Sequence, residues 1–138
     1  MNVSFVASVG VLAADPAKSR KLYVDALGLP LKADASGEYH HSEDVPGTKH
    51  FGVWPLSQAA QACFGVPDWP AHLTVPQVSL EFEVDTEADV EAAAGELEEA
   101  GYAMLHPART EPWGQTVARL LSIEGSIVGV SFAPWLHQ

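Results

Sequence analysis

Residues 78–84, VSLEFEV, alternate apolar and polar side chains, as a half-buried strand does. Leu80, Phe82 and Val84 take one face; Ser79, Glu81 and Glu83 take the other. With the apolar face used for packing, a hydroxyl and two carboxylates are left to hold a cationic group or to act as a general base. The six histidines are His40, His41, His50, His72, His106 and His137. None forms a His-x-His or His-x-x-x-His pair with a helper carboxylate. His40 and His41 are neighbours, so a strand sends them to opposite faces. His50 lies in a strand-like segment and is the histidine best suited to donate into a pocket. Four tryptophans complete the set: Trp54 closes that segment, Trp69 and Trp113 stand in loop-like stretches, and Trp135 is near the C-terminus. Indoles in loops around a cavity suit stacking on a flat or cationic molecule. Arg119, in the strand-like run TVARLL, joins the candidate binding residues. Cys63 has no basic neighbour in sequence and reads as a small core residue. There is no glycine-rich phosphate loop and no Gly-x-Ser-x-Gly elbow.

The elements that must position these groups come in two copies. The segments VSFVASVGVLAADPAKSRKLYVDALGLPL and VSLEFEVDTEADVEAAAGELEEAG each run strand, Asp, helix, Gly. Asp15 and Asp85 stand 70 residues apart, and Gly28 and Gly101 stand 73 apart, the mark of a repeated supersecondary unit. In the first helix Asp15 caps and Pro16 suits the first turn. Ser19, Leu22, Tyr23, Ala26 and Leu27 share one face, and Gly28 ends the helix. In the second, Asp85 or Thr86 caps, Val90, Ala93, Ala94 and Leu97 form the apolar stripe, and Gly101 ends it. Strands are predicted at Leu29–Ala33, Gly37–His41 and Lys49–Trp54, and again at Tyr102–Ala108, Thr116–Leu121 and Ser126–Phe132. The four prolines from Pro55 to Pro76, with LSQAAQACFG among them, indicate a short helix in an irregular linker. The order is β-α-β-β-β, twice: module one over 1–56, a linker over 57–76, and module two over 77–138, in one domain.

Composition narrows the function classes. The 138 residues carry 7 Lys and Arg against 18 Asp and Glu, a net charge of −11. That balance argues against nucleic acid and against anionic membrane surfaces, which call for basic patches. Eight of the acids lie between Glu83 and Glu99, where most form a solvated helix face. A single cysteine rules out an internal disulfide and fits a reducing compartment. No apolar run approaches the ~20 residues of a membrane span, and no Lys or Arg precedes Lys18, so the start does not read as a secretory signal. The expectation is a soluble cytoplasmic protein.

This layout resembles the vicinal oxygen chelate superfamily, the fold of glyoxalases, bleomycin-resistance proteins and ring-cleaving dioxygenases. The resemblance is carried by DPAKSRKLYVDALGLPL, by VSLEFEVDTEADVEAAAGELEEAG, and by HPARTEPWGQTVARLLSIEGSIVGVSF, whose Trp-Gly segment and IEG turn match the family's closing hairpin. It implies an α+β fold of two tandem βαβββ modules, with curved sheets forming a cup and helices on the convex side. Ser79, Glu81 and Glu83 should then face the cup or its rim. The positions at which metal-dependent members place His, Glu or Gln fall here on Ser8, Ser79 and Gly129, while Phe51, Gly52 and Val53 offer no ligand at the fourth. The resemblance thus leads to the metal-free, drug-binding branch, with no metal and no cofactor. The implied function is sequestration of an antibiotic or other bulky aromatic or cationic natural product, in a homodimer with the cleft between cups of both chains. The small residues Ser8, Gly10, Ser79 and Gly129 leave room for such a guest. The expected binding residues are Ser8, His50, Trp54, Trp69, Ser79, Glu81, Glu83, Trp113, Arg119 and Gly129. Two alternatives stand beside this: an enzyme of the same superfamily (a glyoxalase-like lyase or isomerase using Glu81, Glu83 or His50 as base, or a dioxygenase-like protein), and an interaction module that has lost its pocket.

Overall fold

The computed structural model describes residues 1–138. Both helix caps form as their residues dictate. The Asp15 carboxylate accepts from the Lys18 N–H, and Pro16 opens α1 (Pro16–Arg20). The Thr86 hydroxyl accepts from the Asp89 N–H and opens α3 (Glu87–Glu99). Gly28 and Gly101 stand just past the two helical segments at φ of 71° and 98°, the left-handed stop for which glycine pays no Cβ penalty.

The first helix departs from expectation. From Lys21 to Ala26 it widens into a π-helix, with Leu27 N–H reaching the Leu22 carbonyl five residues back. The wider turn breaks the 3.6-residue period on which the predicted apolar face rested. Tyr23 still packs, its ring 6.1 Å from that of Phe51, but Leu22 and Leu27 are left exposed. In α3 the period holds. Val90, Ala93 and Ala94 are buried with Val84, Ala118 and Val130, and Leu97 packs against them.

The strands are β1 (Phe5–Ala13), β2 (Lys32–Ala33), β3 (His40–Ser42), β4 (Phe51–Pro55), β5 (Val78–Glu83), β6 (Met104–Thr110), β7 (Thr116–Leu121) and β8 (Ile127–Phe132). β2 and β3 are shorter than the predicted Leu29–Ala33 and Gly37–His41. All eight form one sheet in the order β2-β3-β4-β1-β5-β8-β7-β6. The run β2-β3-β4-β1 recurs as β6-β7-β8-β5, so the sequence repeat is a repeat of topology. β1 is parallel to β4 and β5 to β8, and the halves join through the antiparallel pair β1–β5. The linker helix α2 (Leu56–Phe64) packs on β1, β4 and β6, bringing Ala59 and Cys63 onto Ile127 and closing one end of the concave side. A 3₁₀ turn, Pro134–His137, closes the other. No helix is long and apolar enough to cross a membrane.

Candidate ligand-binding site

The concave face holds a cavity of about 410 Å³, lined by residues of both modules of the one chain. Its floor is the β1–β5 seam. Ser79 stands opposite Gly10, and a Cβ added at Gly10 would come 3.6 Å from the Ser79 Cβ, so the floor is low because its residues are small. Glu81 stands opposite Ser8 on one side and Gly129 on the other. A Cβ at Gly129 would lie 3.3 Å from the Glu81 Cγ. Gly129 therefore makes space for the Glu81 side chain and is not itself in the cavity wall.

The module-two wall is a hydrogen-bonded chain. Trp113 Nε1–H donates to Gln115 Oε1 at 2.8 Å, and Gln115 Nε2 donates to Glu81 Oε2 at 2.7 Å and Ser131 Oγ at 2.8 Å. One buried amide thus fixes both an indole and a carboxylate. Arg119, 2% exposed, also lines the cavity, 5.8 Å from the Trp54 ring centre. It donates to His106 Nε2 at 3.2 Å and lies 3.7 Å from Glu111 Oε1. His106 Nδ1–H donates to the Pro107 carbonyl at 2.7 Å, which leaves Nε2 free to accept. Burial lowers the His106 pKa, the bond to the Pro107 carbonyl opposes this, and Arg119 lowers it further.

The module-one wall carries Tyr39, His41 and Glu43, alternate residues along β3 and its flanks and so on one face. His41 pairs with Gly52 of β4, which brings His50 alongside. His50 is bridged: Nε2 meets the Tyr39 hydroxyl and Nδ1 meets Glu43 Oε1 at 2.9 Å. Gly52 is needed here, since a Cβ would stand 2.7 Å from Tyr39 Cε1. Burial, reinforced by the charge of Glu81, raises the Tyr39 phenol far above its usual pKa, so it remains a donor. Burial also lowers the His41 pKa, with His50 next in effect.

The structure thus brings Ser8, His50, Trp54, Ser79, Glu81, Trp113 and Arg119 to one cavity and leaves out three of the expected residues. Gly129 acts through Glu81, as above. Trp69 does not reach across the cup: it meets Phe64 edge-on at 5.0 Å, and its Nε1–H donates to the Thr74 carbonyl, so it anchors the linker. Glu83 is on the predicted face but wholly buried, since its Oε2 accepts from Ala133 N–H at 2.6 Å and contacts His137 Nε2 at 2.8 Å. It clamps the C-terminal turn that carries Trp135 and Leu136 to the rim. Sequence reasoning missed Tyr39, His41, Glu43 and Gln115. The period-two run Tyr39-x-His41-x-Glu43 was the available signal.

The family model for the Glyoxalase/Bleomycin resistance protein/Dioxygenase superfamily matches residues 6–125. The chain belongs to this superfamily. No curated protein matches it by sequence. Solved structures match it by fold. A superfamily member from Vibrio splendidus 12B01 superposes with a TM-score of 0.57 at 14% identity, over 92% of this chain and 97% of that one. Methylmalonyl-CoA epimerase of Streptomyces coelicolor gives 0.58 at 15% identity, over 96% and 99%. The epimerase of Mycobacterium tuberculosis gives 0.57 at 16%, over 98% and 92%. At these identities the likeness is one of fold.

Ser8, Ser79 and Gly129, the positions that the family resemblance assigned to metal ligands, do not offer a metal's donor set. Ser8 and Ser79 offer hydroxyls, and the space at Gly129 is filled by Glu81, whose Oε2 is engaged by Gln115. A divalent ion needs several imidazole, carboxylate or thiolate donors converging on one point. The cavity's other acids, Asp34 and Glu43, stand on the module-one side, and its lone guanidinium, Arg119, is paired with Glu111. The cup is therefore negative and aromatic.

Proposed function

We propose that this superfamily member captures a small molecule in the cup and holds it without transforming it, in the manner of bleomycin-resistance proteins. The guest class is a flat aromatic compound bearing a cationic group, such as an antibiotic or related natural product. The observation that carries this reading is the lining. Three indoles, Trp54, Trp113 and Trp135, surround a floor of small residues, while the carboxylates of Glu81, Glu43 and Asp34 face the cavity and its one guanidinium is already paired. The volume of about 410 Å³ lies within the range of roughly 300–1,000 Å³ of small-molecule sites. It accommodates a modest guest, or the flat portion of a bulky one. Titration with a panel of cationic polycyclic and glycopeptide-type compounds should quench tryptophan fluorescence saturably. The ligand should be recovered unchanged by mass spectrometry after hours of incubation. No saturable binding across the panel would reject the proposal. A homodimer, as the family resemblance implies, is proposed with it and is checked by sedimentation.

A second reading is favoured by one observation. The Glu43–His50–Tyr39 chain is an oriented imidazole between a carboxylate and a phenol, an arrangement suited to moving a proton. It supports a lyase or isomerase. A bound compound recovered as a new product, formed over many turnovers, would select this reading over capture.

A further inference from the structure

We propose that His41, Glu43 and His50 bind one divalent transition-metal ion on the module-one wall of the cup. This place is separate from Ser8, Ser79 and Gly129, and the inference is independent of the capture reading. It replaces the sequence-based expectation of a chain without metal.

The donors converge because of the strand period and the β3–β4 register. His41 and Glu43 are two residues apart and share the concave face, and His50 precedes by two the Gly52 that pairs with His41. One ligand atom from each of the three lies within 4.8 Å of the others. His50 Nδ1 is 2.9 Å, and His41 Nδ1 3.7 Å, from the same Glu43 Oε1. Donors bound at about 2.0–2.2 Å to a four- to six-coordinate ion stand roughly 3.0–3.6 Å apart, so the set brackets the required spacing. The two imidazoles are stacked, with centroids 5.0 Å apart and planes 17° from parallel, so a turn of one ring is needed to aim both Nδ1 lone pairs at a shared ion.

A second observation points to a missing partner. His41 Nδ1 is buried and has no hydrogen-bond partner. Buried ring nitrogens are ordinarily satisfied, and an ion shared with Glu43 and His50 would satisfy this one. The outer support is also present. When His50 binds through Nδ1, its Nε2–H is left to donate to the Tyr39 hydroxyl, the type of contact that orients metal-bound imidazoles. Two imidazoles and one carboxylate suit zinc, iron(II), cobalt or nickel rather than calcium or magnesium, which prefer oxygen. Three protein donors leave coordination positions open to the cavity, where oxygen atoms of a guest can enter.

The test uses untagged, chelator-treated protein and Co²⁺ as probe, followed by equilibrium dialysis and visible absorption. One Co²⁺ per chain is expected, displaced by Zn²⁺. His41→Ala and Glu43→Gln should each weaken binding by about 100-fold or more, and Tyr39→Phe by about 10-fold, as for an outer partner. His40→Ala, on the opposite face, should leave it unchanged. Less than one ion per chain at saturation, or native affinity in both His41→Ala and Glu43→Gln, would overturn the proposal. Should those variants fail to fold, the native chain still decides. Zn²⁺ must then shift the imidazole ¹⁵N signals of His41 and His50 and not that of His40; shifts confined to other histidines overturn it.

Discussion

Glu81 and Glu83 sit two residues apart on one face of β5, yet their surroundings predict opposite consequences of substitution. Glu83 is wholly buried and accepts from the buried Ala133 N–H at 2.6 Å and from His137 at 2.8 Å. In Glu83→Ala the Ala133 N–H loses its acceptor, which costs about 1–3 kcal/mol, and the His137 contact, partly open to water, adds about 0.5 kcal/mol. The other carboxylate oxygen, Oε1, is buried without a partner, so removing it returns part of its desolvation cost. The net expectation is a loss of about 2 kcal/mol, a fall in Tm of roughly 6–10 °C for a chain of this size. In Glu81→Ala, Gln115 keeps Ser131 as acceptor and its other N–H, at the cavity wall, is left to solvent, so the loss should stay below about 1 kcal/mol. Urea unfolding followed by far-UV circular dichroism measures both. Trp135 should also become more mobile in Glu83→Ala, because the turn carrying it loses its clamp. Equal destabilisation by the two changes, or a larger effect at Glu81, would refute the assignment of one carboxylate to structure and the other to the cavity.

Three further outcomes are expected. Trp113→Ala should weaken a quenching ligand by roughly 1–3 kcal/mol, a factor of about 5 to 150, with little change in stability, since this indole is half exposed; a titration of the variant measures it. Gly52→Ala should drive Tyr39 out of its contact with His50, because the added methyl would lie 2.7 Å from Tyr39 Cε1; the ring signals of Tyr39 and His50 should shift together in NMR spectra, while the α3 core signals hold. The thiol of Cys63, pushed up to about 11 by burial, should stay protonated in the folded chain at pH 7–8 and resist thiol reagents until the protein is unfolded or the pH approaches that value. Rapid labelling of the native chain at pH 7.5 would contradict the burial of α2 against Ile127.

Much of the fold is legible because its signals are local. Asp15 with Pro16, and Asp85 or Thr86, mark the helix starts within a few residues, and the structure selects Thr86 as the second cap. Gly28 and Gly101 write the stops. The strand predicted at Thr116–Leu121 is found at those bounds. The site is less legible. Ser79 and Glu81 share one face by the period of β5, and the family resemblance made that face the concave one; His50 and Trp54 were read only as members of the fourth strand. His41 and Glu43 carried the same period-two signal, but the strand predicted at Gly37–His41 ends before Glu43, and β3 itself covers only His40–Ser42.

What the sequence determined by itself is the repeated unit, the caps and the two faces of β5, since all depend on torsions and periods spanning a few residues. Only the tertiary structure decided which facing residues meet, and which are sealed. Glu83 and Glu81 are equivalent to any local rule, and what separates them is a turn 50 residues further along the chain that folds back over one and not the other. Trp69 and Trp113 are both loop tryptophans; the packing of α2 claims the first, and Gln115 presents the second to the cup. Even the exposure of Leu22 and Leu27 follows from one widened helical turn that no apolar period encodes. The physical reason is common to all of these. Membership of a pocket depends on register and coverage between segments far apart in the chain, and those are settled by packing after the local structure is already fixed.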